Sequence, residues 1–427
     1  MSSQMHLNLN LRGIGFHRAA WRHSTAQPTE VCSLPYYTRI VQAAEKAKLD
    51  AVFLADSPRV YSDREPLAMS NEPLTLLAAL AAQTSQIGLI GTISTTYNDP
   101  YEVALRFASL DHLSGGRIGM NFVTSSGDPM ARNFGYDSHP DFELRYERAS
   151  EFVDVVLDLW SGEHVAHHGR FFDVDGRLPI APSPQGFPVL VQAGASDRGR
   201  DMAALRAEAV YTGSSTIPNG LEFYDDVKAR LAKFGRSPHS AKILPGVVPY
   251  IGSTEAEGKA LEAELEDLAT KNVDVVGQLG AELGVDFSVY DLDGPFPLEA
   301  FPSPTRFKGG QSRLNRLRTW VQQENLSIRE LAIKVEKGLN NVHWTTAGSA
   351  EQIADELESW FRAGAADGFN ILVPLHPKGT LDFTEQVVPI LQQRGLFRTE
   401  YDGTTLSDHF ELTPELRPNR RTVRSAR

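Results

Sequence analysis

The stretch from Ile87 to Ser126 constrains the fold most, because it reads as a strand, a polar turn, a helix and a second strand in direct succession. Residues 87–93 form an uncharged run rich in Ile, Leu and Gly, which is typical of a strand buried on both faces of a parallel sheet. A helix then opens at Pro100 and ends before Gly115, and residues 118–123 form the next strand. Parallel strands joined through a helix are the repeating unit of α/β folds.

The same unit recurs along the whole chain. Eight buried strands that alternate with helices predict an α/β fold of the (β/α)8 TIM-barrel type. A doubly wound sheet is disfavoured, because no glycine-rich phosphate fingerprint follows a strand. The six further strands are predicted at His6–Gly15, Leu49–Asp56, Pro188–Gly194, Ala209–Thr212, Lys242–Ile251 and Gly368–Val373.

The alternation of strands and helices is interrupted between Val273 and Val342. Four prolines within residues 291–304 are incompatible with a regular element there. We therefore predict a single barrel domain over residues 1–427, with residues 273–342 inserted between units seven and eight. A loop this long is uncommon without a function, so we expect it to form a lid over the carboxyl-terminal mouth of the barrel. Residues 413–427, rich in arginine, are expected to be a flexible tail.

Charge and composition argue against several classes of partner. The 427-residue chain has a formal net charge of −12, which disfavours binding to nucleic acid or to an anionic membrane surface. No apolar run approaches the ~18 residues of a membrane span, and the N-terminus lacks the apolar region of a signal peptide. Cys32 is the single cysteine, which suits a reducing compartment, so a cytoplasmic protein is expected.

Polar side chains follow the predicted strands at their carboxyl ends, which in a β/α barrel meet at the face that carries function. Each of these groups either satisfies the loop backbone or contacts a ligand, and both roles stay open for any single residue. Gly194-Ala195-Ser196, directly before a helix, is the strongest candidate for a phosphate cradle. The strand-end residues are Asp56, Ser94–Thr96, Thr124–Ser126, Ser196, Ser214 and Ser215.

The histidine pattern does not predict a metal site. His164, His167 and His168 lie in a turn-rich excursion with no carboxylate at a helical offset, so we expect them in a solvated surface loop. Strand one carries Asn8 and Asn10 where a metal-dependent barrel hydrolase would carry histidines. These features favour an active site without a bound metal.

Seven motifs occur in order along nearly the whole chain. They are FLAD (53–56), STTYNDPYEVALRFASLDHLSGGRIGMNFVTS (94–125), ARNFG (131–135), RYERASEFVDVV (145–156), SPQGFPVLVQAGAS (183–196), AADGFNIL (365–372) and VVPILQQRGLFRTEY (387–401). Together they resemble the nitrilotriacetate monooxygenase (component A) and dibenzothiophene sulfone monooxygenase family, a branch of the bacterial-luciferase-like flavin monooxygenases.

The resemblance implies a two-component monooxygenase that uses reduced FMN supplied by a separate, transiently bound NAD(P)H-dependent flavin reductase. It implies that O2 is activated as a flavin C4a-peroxide and that one oxygen atom enters a small organic substrate, such as a xenobiotic, an aminopolycarboxylate or a sulfone. A homo-oligomer, either a dimer or a tetramer, is also implied. By position, the FMN contacts fall on Asp56, Ser94, Thr96, Thr124, Ser125, Tyr146, Ala195 and Ser196.

His17 and Trp21 lie just beyond strand one, in the segment that faces the flavin ring in related proteins. The resemblance therefore makes them the candidate catalytic residues. A histidine whose pKa is near neutrality can donate a hydrogen bond to the peroxide or manage its proton, and the indole would form an apolar wall. Packing of the loop remains an alternative role for His17.

The chain departs from the family pattern at two positions. Phe142 stands where the family often has a histidine, and His139 is the candidate replacement. Ser407 stands where the family has an arginine near the C-terminus. Basic residues of the insertion fit either a polyacid substrate or a solvated helix face; they are Arg306, Lys308, Arg313, Arg316 and Arg318.

Two other functions use the same barrel. One is an oxidoreductase that carries hydride on the deazaflavin F420, and the other is a flavin-binding protein without catalytic activity. The STTY, ARNFG and QAG motifs favour FMN over F420.

Overall fold

The predicted barrel is present in the computed structural model, which describes residues 4–56, 71–125, 127–271, 273–303, 311–337 and 343–413. The strands are β1 (His6–Asn10), β2 (Ala51–Leu54), β3 (Gly88–Ser94), β4 (Ile118–Val123), β5 (Val165–His168), β6 (Asp173–Gly176), β7 (Val189–Ala193), β8 (Ala209–Thr212), β9 (Lys242–Gly252), β10 (Trp344–Ser349) and β11 (Gly368–Ile371). The α-helices are α1 (Leu34–Lys46), α2 (Pro73–Ala81), α3 (Pro100–Ser114), α4 (Asp128–Asn133), α5 (Phe142–Trp160), α6 (Asp197–Arg206), α7 (Ile217–Lys233), α8 (Glu255–Thr270), α9 (Val275–Leu283), α10 (Gln311–Glu324), α11 (Ile328–Lys337), α12 (Ala350–Arg362), α13 (Lys378–Asp382), α14 (Val388–Gln393) and α15 (Leu406–His409).

Eight of the described strands close into a parallel barrel in the order β1-β2-β3-β4-β7-β8-β9-β11, and β11 pairs back to β1. The barrel strands are buried along nearly their whole length, as their apolar runs predict. Helices separate successive barrel strands along the chain, so the (β/α)8 prediction is confirmed.

The long strand β9 pairs with three other strands. Its first half closes the barrel by pairing with β8 and β11. Its second half extends beyond the barrel and pairs with β10, in a register that sets Trp344 opposite Val247 and Ser349 opposite Gly252. β10 is absent from the sequence prediction, because WTTAGS has no apolar run and depends on this pairing.

The first strand ends at Asn10, five residues before the predicted end at Gly15. Beyond Asn10 the chain leaves the sheet and runs close to the segment that follows β11. Gly15 has a φ of +149°, and a Cβ placed there would lie 2.3 Å from the carbonyl oxygen of Pro374. Only glycine allows this close approach.

A two-stranded hairpin of β5 and β6 occupies the excursion that was expected to be a loop. His164 and His168 are exposed at the surface, as expected, but the loop prediction is wrong for β5. The hairpin is held to α5 because Glu151 accepts hydrogen bonds from the backbone N–H groups of Phe171 and Phe172, and its Oε1 lies 3.1 Å from His167 Nε2. These long-range contacts replace the apolar alternation that would mark a strand in the sequence.

The C-terminal helix α15 fills the amino-terminal end of the barrel. Leu406 and Phe410 are fully buried, and they pack with Phe53, which points into the barrel from β2. Gly88 and Gly119 make room for Leu406, since a Cβ on either would lie 2.4 or 3.1 Å from its methyl groups. The barrel floor is therefore built by a segment that follows the last barrel strand.

Ser407, which the resemblance sets at the position of a family arginine, lies at this floor. Its backbone N–H donates to Gln185 Oε1 at 3.1 Å, and its hydroxyl lies 2.9 Å from that of Thr405. This position is at the end of the barrel opposite the strand termini that carry the candidate site. The serine thus contributes to closure of the floor.

The described parts of the insertion form a hydrophobic cluster of their own, separate from that of the barrel. Helices α9, α10 and α11 supply most of it, together with Phe287, Phe296 and Phe301. The cluster is tied to the loop after β1 by an ion pair of 2.7 Å between Arg18 and the buried Glu336. The described residues exclude the segments 304–310 and 338–342. They also exclude residues 414–427, which make up most of the predicted tail.

Within the described part of the chain, no helix combines the length and the apolar character that crossing a membrane requires. The same residues contain no group of three or more His, Cys, Asp or Glu side chains placed to hold a metal ion.

Replacing Leu406 with alanine should lower the free energy of unfolding by about 3–5 kcal/mol, because it opens a cavity that the surrounding strands cannot close. Urea denaturation measures the change. Leu113→Ala, which makes the same substitution at a side chain that is 79% exposed, is the matched control and should cost less than about 1 kcal/mol. Equal losses in the two variants would show that α15 does not support the barrel.

Candidate functional site

The turns that follow β3 and β4 are hydrogen-bonded to each other at the carboxyl end of the barrel. Ser125 Oγ donates to Ser94 Oγ at 2.7 Å, and Thr96 Oγ1 donates to the carbonyl oxygen of Thr124 at 2.8 Å. Ser125 has a φ of 58°, in the left-handed region, so this turn is held in a conformation that is unusual for serine. The structure thus brings four of the predicted cofactor residues together.

Arg145, which was not predicted, and His139, the candidate replacement for the family histidine, brace the same turn. Arg145 Nη1 donates to the carbonyl oxygen of Ser125 at 2.5 Å, and His139 Nε2 donates to the same oxygen at 3.2 Å. The other ring nitrogen of His139 accepts from the hydroxyl of Tyr97. Burial, and next the nearby Arg145 charge, lower the pKa of His139 to about 4, so this imidazole is neutral at pH 7. The sequence could have pointed to Arg145, because it directly precedes Tyr146, which is a predicted cofactor contact.

Phe142 packs against side chains of its own helix, Arg145 and Tyr146. Its side chain is exposed, and its ring packs against Tyr146 with 4.7 Å between the ring centroids. His139, suggested as the replacement for the family histidine, lies against the β4 turn, and its backbone N–H donates to Asp128 Oδ1 at 3.0 Å. Of the two residues, His139 is therefore the one that contacts the turn.

Ser196 is the N-cap of α6, as the sequence predicts. Its Oγ accepts from the backbone N–H of Gly199 at 3.1 Å and lies 3.3 Å from the hydroxyl of Tyr146. Ser196 and Ala195 are exposed, so the start of the helix is accessible. The first N–H groups of a helix lack intrahelical partners and carry partial positive charge, which makes this a site suited to a phosphate group.

Asp56 lies two residues after β2 and is half-buried at the same end of the barrel. Trp21 lies in a short 3-10 turn and packs partly against the main hydrophobic cluster, and the guanidinium of Arg22 lies 4.8 Å from the centre of its ring. Ser126 lies outside the described residues.

His17 is buried, and its Nδ1 accepts a hydrogen bond of 3.2 Å from the backbone N–H of Ala19. This contact leaves the ring proton on Nε2. Its ring meets the edge of Tyr250 at a centroid separation of 6.5 Å. Burial lowers the pKa of His17 to about 4, so the expectation of a pKa near neutrality is wrong. The imidazole can act as a neutral hydrogen-bond donor but is not charged at pH 7.

An aromatic cluster that was not predicted lies where β8, β9 and the start of β10 meet. Tyr211 stacks on His343 with 5.4 Å between centroids, and the tyrosine hydroxyl lies 2.9 Å from His343 Nε2. Phe16 meets the same imidazole edge-on at 5.4 Å. Burial, together with the charges of Arg316 and Arg12, lowers the pKa of His343 to about 3. His343 could not be placed from sequence, because it immediately precedes the unpredicted strand β10.

Comparisons with known proteins agree with this geometry. The family model described as luciferase-like monooxygenase matches residues 15–367. The chain is 42% identical to N-acetyl-S-(2-succino)cysteine monooxygenase of Bacillus subtilis (strain 168), over 96% of this chain and 97% of that protein. It is also 42% identical to nitrilotriacetate monooxygenase component A of Aminobacter aminovorans, over 96% of this chain and 97% of that protein.

Among solved structures, the chain resembles a riboflavin lyase determined with modified FMN and riboflavin. The TM-score is 0.84 at 29% sequence identity, and the match covers 96% of each chain. The fold, the predicted family and the assignment as an enzyme are thereby confirmed, and the chain belongs to the luciferase-like monooxygenase family.

Proposed function

We propose that this chain is the oxygenating component of a two-component monooxygenase, which uses reduced FMN and O2 to add one oxygen atom to a small organic substrate. The observation that carries the proposal is the accessible N-terminus of α6, where Ser196 and Tyr146 converge beside the hydroxyl-rich turns of β3 and β4. The family relationship supports the same chemistry.

The residues at this end of the barrel fit FMN. The start of α6 and the hydroxyls of Ser196 and Tyr146 would hold the phosphate, which is a dianion. Ser125 uses its own proton in the bond to Ser94, so the Ser94 hydroxyl can still donate to a ligand. Reduced FMN, when bound, would supply the electrons that activate O2. Arg145 and His139 would keep the β4 turn in place during this chemistry.

The name of one relative, component A, supports a separate flavin reductase as the partner. The FMN in the solved structure of the riboflavin lyase supports FMN over F420. The proposal includes a transient encounter between the two components in the cytoplasm and assembly into a homo-oligomer. Reconstitution with a flavin reductase and NADH under 18O2 tests the activity, and labelled product is the expected result. Preferential binding of F420, or flavin binding without oxygenation of any substrate, would contradict the proposal.

Ser196→Ala should weaken binding of reduced FMN by about 1–2 kcal/mol, because it removes a charge-assisted hydrogen bond to the phosphate. Anaerobic fluorescence titration gives the dissociation constant. Ser349→Ala removes an equivalent N-cap from α12, away from the site, and should leave FMN affinity unchanged. If both variants bind FMN like the wild type, the phosphate lies elsewhere.

His17→Ala should bind reduced FMN within about twofold of the wild type but release more hydrogen peroxide per NADH consumed. The reason is loss of the neutral Nε2–H donor beside the reacting centre. The pKa of His17 is about 4, so His17 stays neutral between pH 6 and pH 8. Its titration should therefore not change the coupling of NADH consumption to product formation in the wild type over this range. Unchanged coupling in the variant would assign His17 to packing of the loop.

We also propose that the insertion acts as a lid that keeps water from the reacting centre. Arg18→Gln should loosen it, because the buried Glu336 then loses its 2.7 Å partner. The fraction of NADH that yields hydrogen peroxide should rise at least about twofold, while FMN affinity stays the same. Arg39→Gln, which breaks an exposed ion pair with Glu30, is the control. Equal coupling in the two variants would contradict a role of this contact in closure.

A further inference from the structure

A series of hydrogen bonds, here called the relay, runs between the turns after β3 and β4 and involves Tyr97, His139, Ser125 and Ser94. Tyr97 directly follows Thr96 and was not predicted to take part in the site. We propose that Tyr97 is a positioning residue for cofactor binding: its hydroxyl acts through His139 to hold the turn after β4 and so sets Ser125 against Ser94. The inference rests on the proposed function, and it adds to that site a residue whose effect passes through a second side chain.

The relay begins where the hydroxyl of Tyr97 donates to Nδ1 of His139 at 2.5 Å. Burial raises the pKa of Tyr97, so the hydroxyl keeps its proton at pH 7. The imidazole is neutral, because burial lowers the pKa of His139 to about 4. A neutral imidazole has one donor and one acceptor nitrogen, so a bond accepted at Nδ1 places the ring proton on Nε2. Asp128 accepts from the backbone N–H of His139 at 3.0 Å and therefore fixes the backbone there rather than the ring.

The next step of the relay holds the turn that follows β4. His139 Nε2 donates to the carbonyl oxygen of Ser125 at 3.2 Å, and Arg145 Nη1 donates to the same oxygen at 2.5 Å. Both lone pairs of this carbonyl are thus used. Ser125 has a φ of 58°, and such a backbone conformation persists in a serine only where neighbouring contacts hold it. Loss of the bond from His139 should therefore loosen the turn.

The relay ends on the turn where it began. Ser125 Oγ donates to Ser94 Oγ at 2.7 Å, which leaves the proton of Ser94 available to a ligand. Ser94 and Tyr97 lie on the same turn after β3, and Asn98 Nδ2 fixes that turn by donating to the carbonyl oxygen of Ser94 at 2.8 Å. Each bond of the relay has a defined donor, so the position and the direction of the Ser94 hydroxyl both depend on it.

The aromatic ring of Tyr97 has contacts that do not involve its hydroxyl. It stacks on Phe134 with 4.6 Å between the ring centroids and 4° between the ring planes, and its centroid lies 5.8 Å from that of Tyr136. Phenylalanine at position 97 would keep these ring contacts and lose the hydrogen bond to His139. The substitution Tyr97→Phe therefore separates the relay from packing.

Anaerobic fluorescence titration with reduced FMN tests the role of Tyr97 in cofactor binding. Tyr97→Phe should weaken binding by about fivefold, since a hydrogen bond that supports the turn is lost. Tyr101→Phe is the matched control. It removes a nearby hydroxyl that donates to the carbonyl oxygen of Arg177 at 3.4 Å, and it should bind FMN within about twofold of the wild type. Binding by Tyr97→Phe that equals that of the wild type would overturn the proposal.

A double-mutant cycle with His139→Gln tests whether Tyr97 acts through His139. Glutamine can still donate to the carbonyl oxygen of Ser125, but it lacks the Nδ1 acceptor that Tyr97 uses. Tyr97→Phe should therefore weaken FMN binding by less than about twofold when His139 is already glutamine. Equal losses of affinity in the two backgrounds would mean that Tyr97 acts independently of His139, and the proposal would be wrong.

NMR spectra of the cofactor-free chain, labelled with 15N in its histidine rings, test the relay without any flavin. The signals that disappear in His139→Gln identify His139. In the wild type at pH 7, this ring should be neutral and protonated at Nε2. In Tyr97→Phe its Nδ1 resonance should move downfield, because the nitrogen loses a hydrogen bond. An unchanged Nδ1 resonance would overturn the proposal.

Failure of the proposed function gives a different pattern of results. If the variants change FMN binding as expected but the wild type transfers no oxygen from 18O2, the inference is supported and the oxygenase proposal is contradicted. If the wild type binds no flavin, the oxygenase proposal and the role of Tyr97 in cofactor binding are both overturned. Flavin binding and oxygen transfer that are both insensitive to Tyr97→Phe overturn the inference alone.

Discussion

The pairing of β9 on both of its halves determines how the rest of the molecule is arranged. The first half of β9 joins β8 to β11 and so closes the ring of eight strands. The second half carries β10, where the chain returns from the insertion. Helix α8, which leads into the insertion, packs against β9 and β10. Both ends of the insertion are thus fixed to one strand, and this holds its helices beside the barrel mouth and places His343 next to Tyr211.

The barrel was predictable because its strands are buried on both faces, which imposes uniform apolar runs such as residues 87–93. The elements absent from the prediction are those whose stability comes from partners distant in sequence. β10 is held by β9, the β5–β6 hairpin by Glu151, and α15 by the space that Gly88 and Gly119 leave for Leu406. Local pattern carries little information about such elements, since the deciding contacts span long stretches of chain.

The same distinction applies to the candidate site. Hydroxyls at strand ends were predictable as a group, because parallel strands bring their carboxyl ends to one face. The contact of Tyr146 with Ser196 follows the family motif, and the structure sets these two residues 3.3 Å apart. The position of His343 depends on the return of the insertion to β9 and was beyond reach from sequence. Burial of His17 also had no local signal, so its lowered pKa could be seen only in the fold.

An acidic chain can still present a site suited to an anion, because its net charge and its local fields act over different distances. The formal charge of −12 is spread over a surface where many acids are paired or solvated, and salt screens such charges beyond about 8 Å. Within the mouth, local groups decide: the start of α6 carries partial positive charge, and the buried imidazoles of His17 and His343 are neutral. Lowered histidine pKa values are a consequence of this arrangement, since burial and positive neighbours both disfavour imidazolium. Neutral imidazoles thus add no positive charge of their own, and the partial charge at the start of α6 is the local feature suited to an anion.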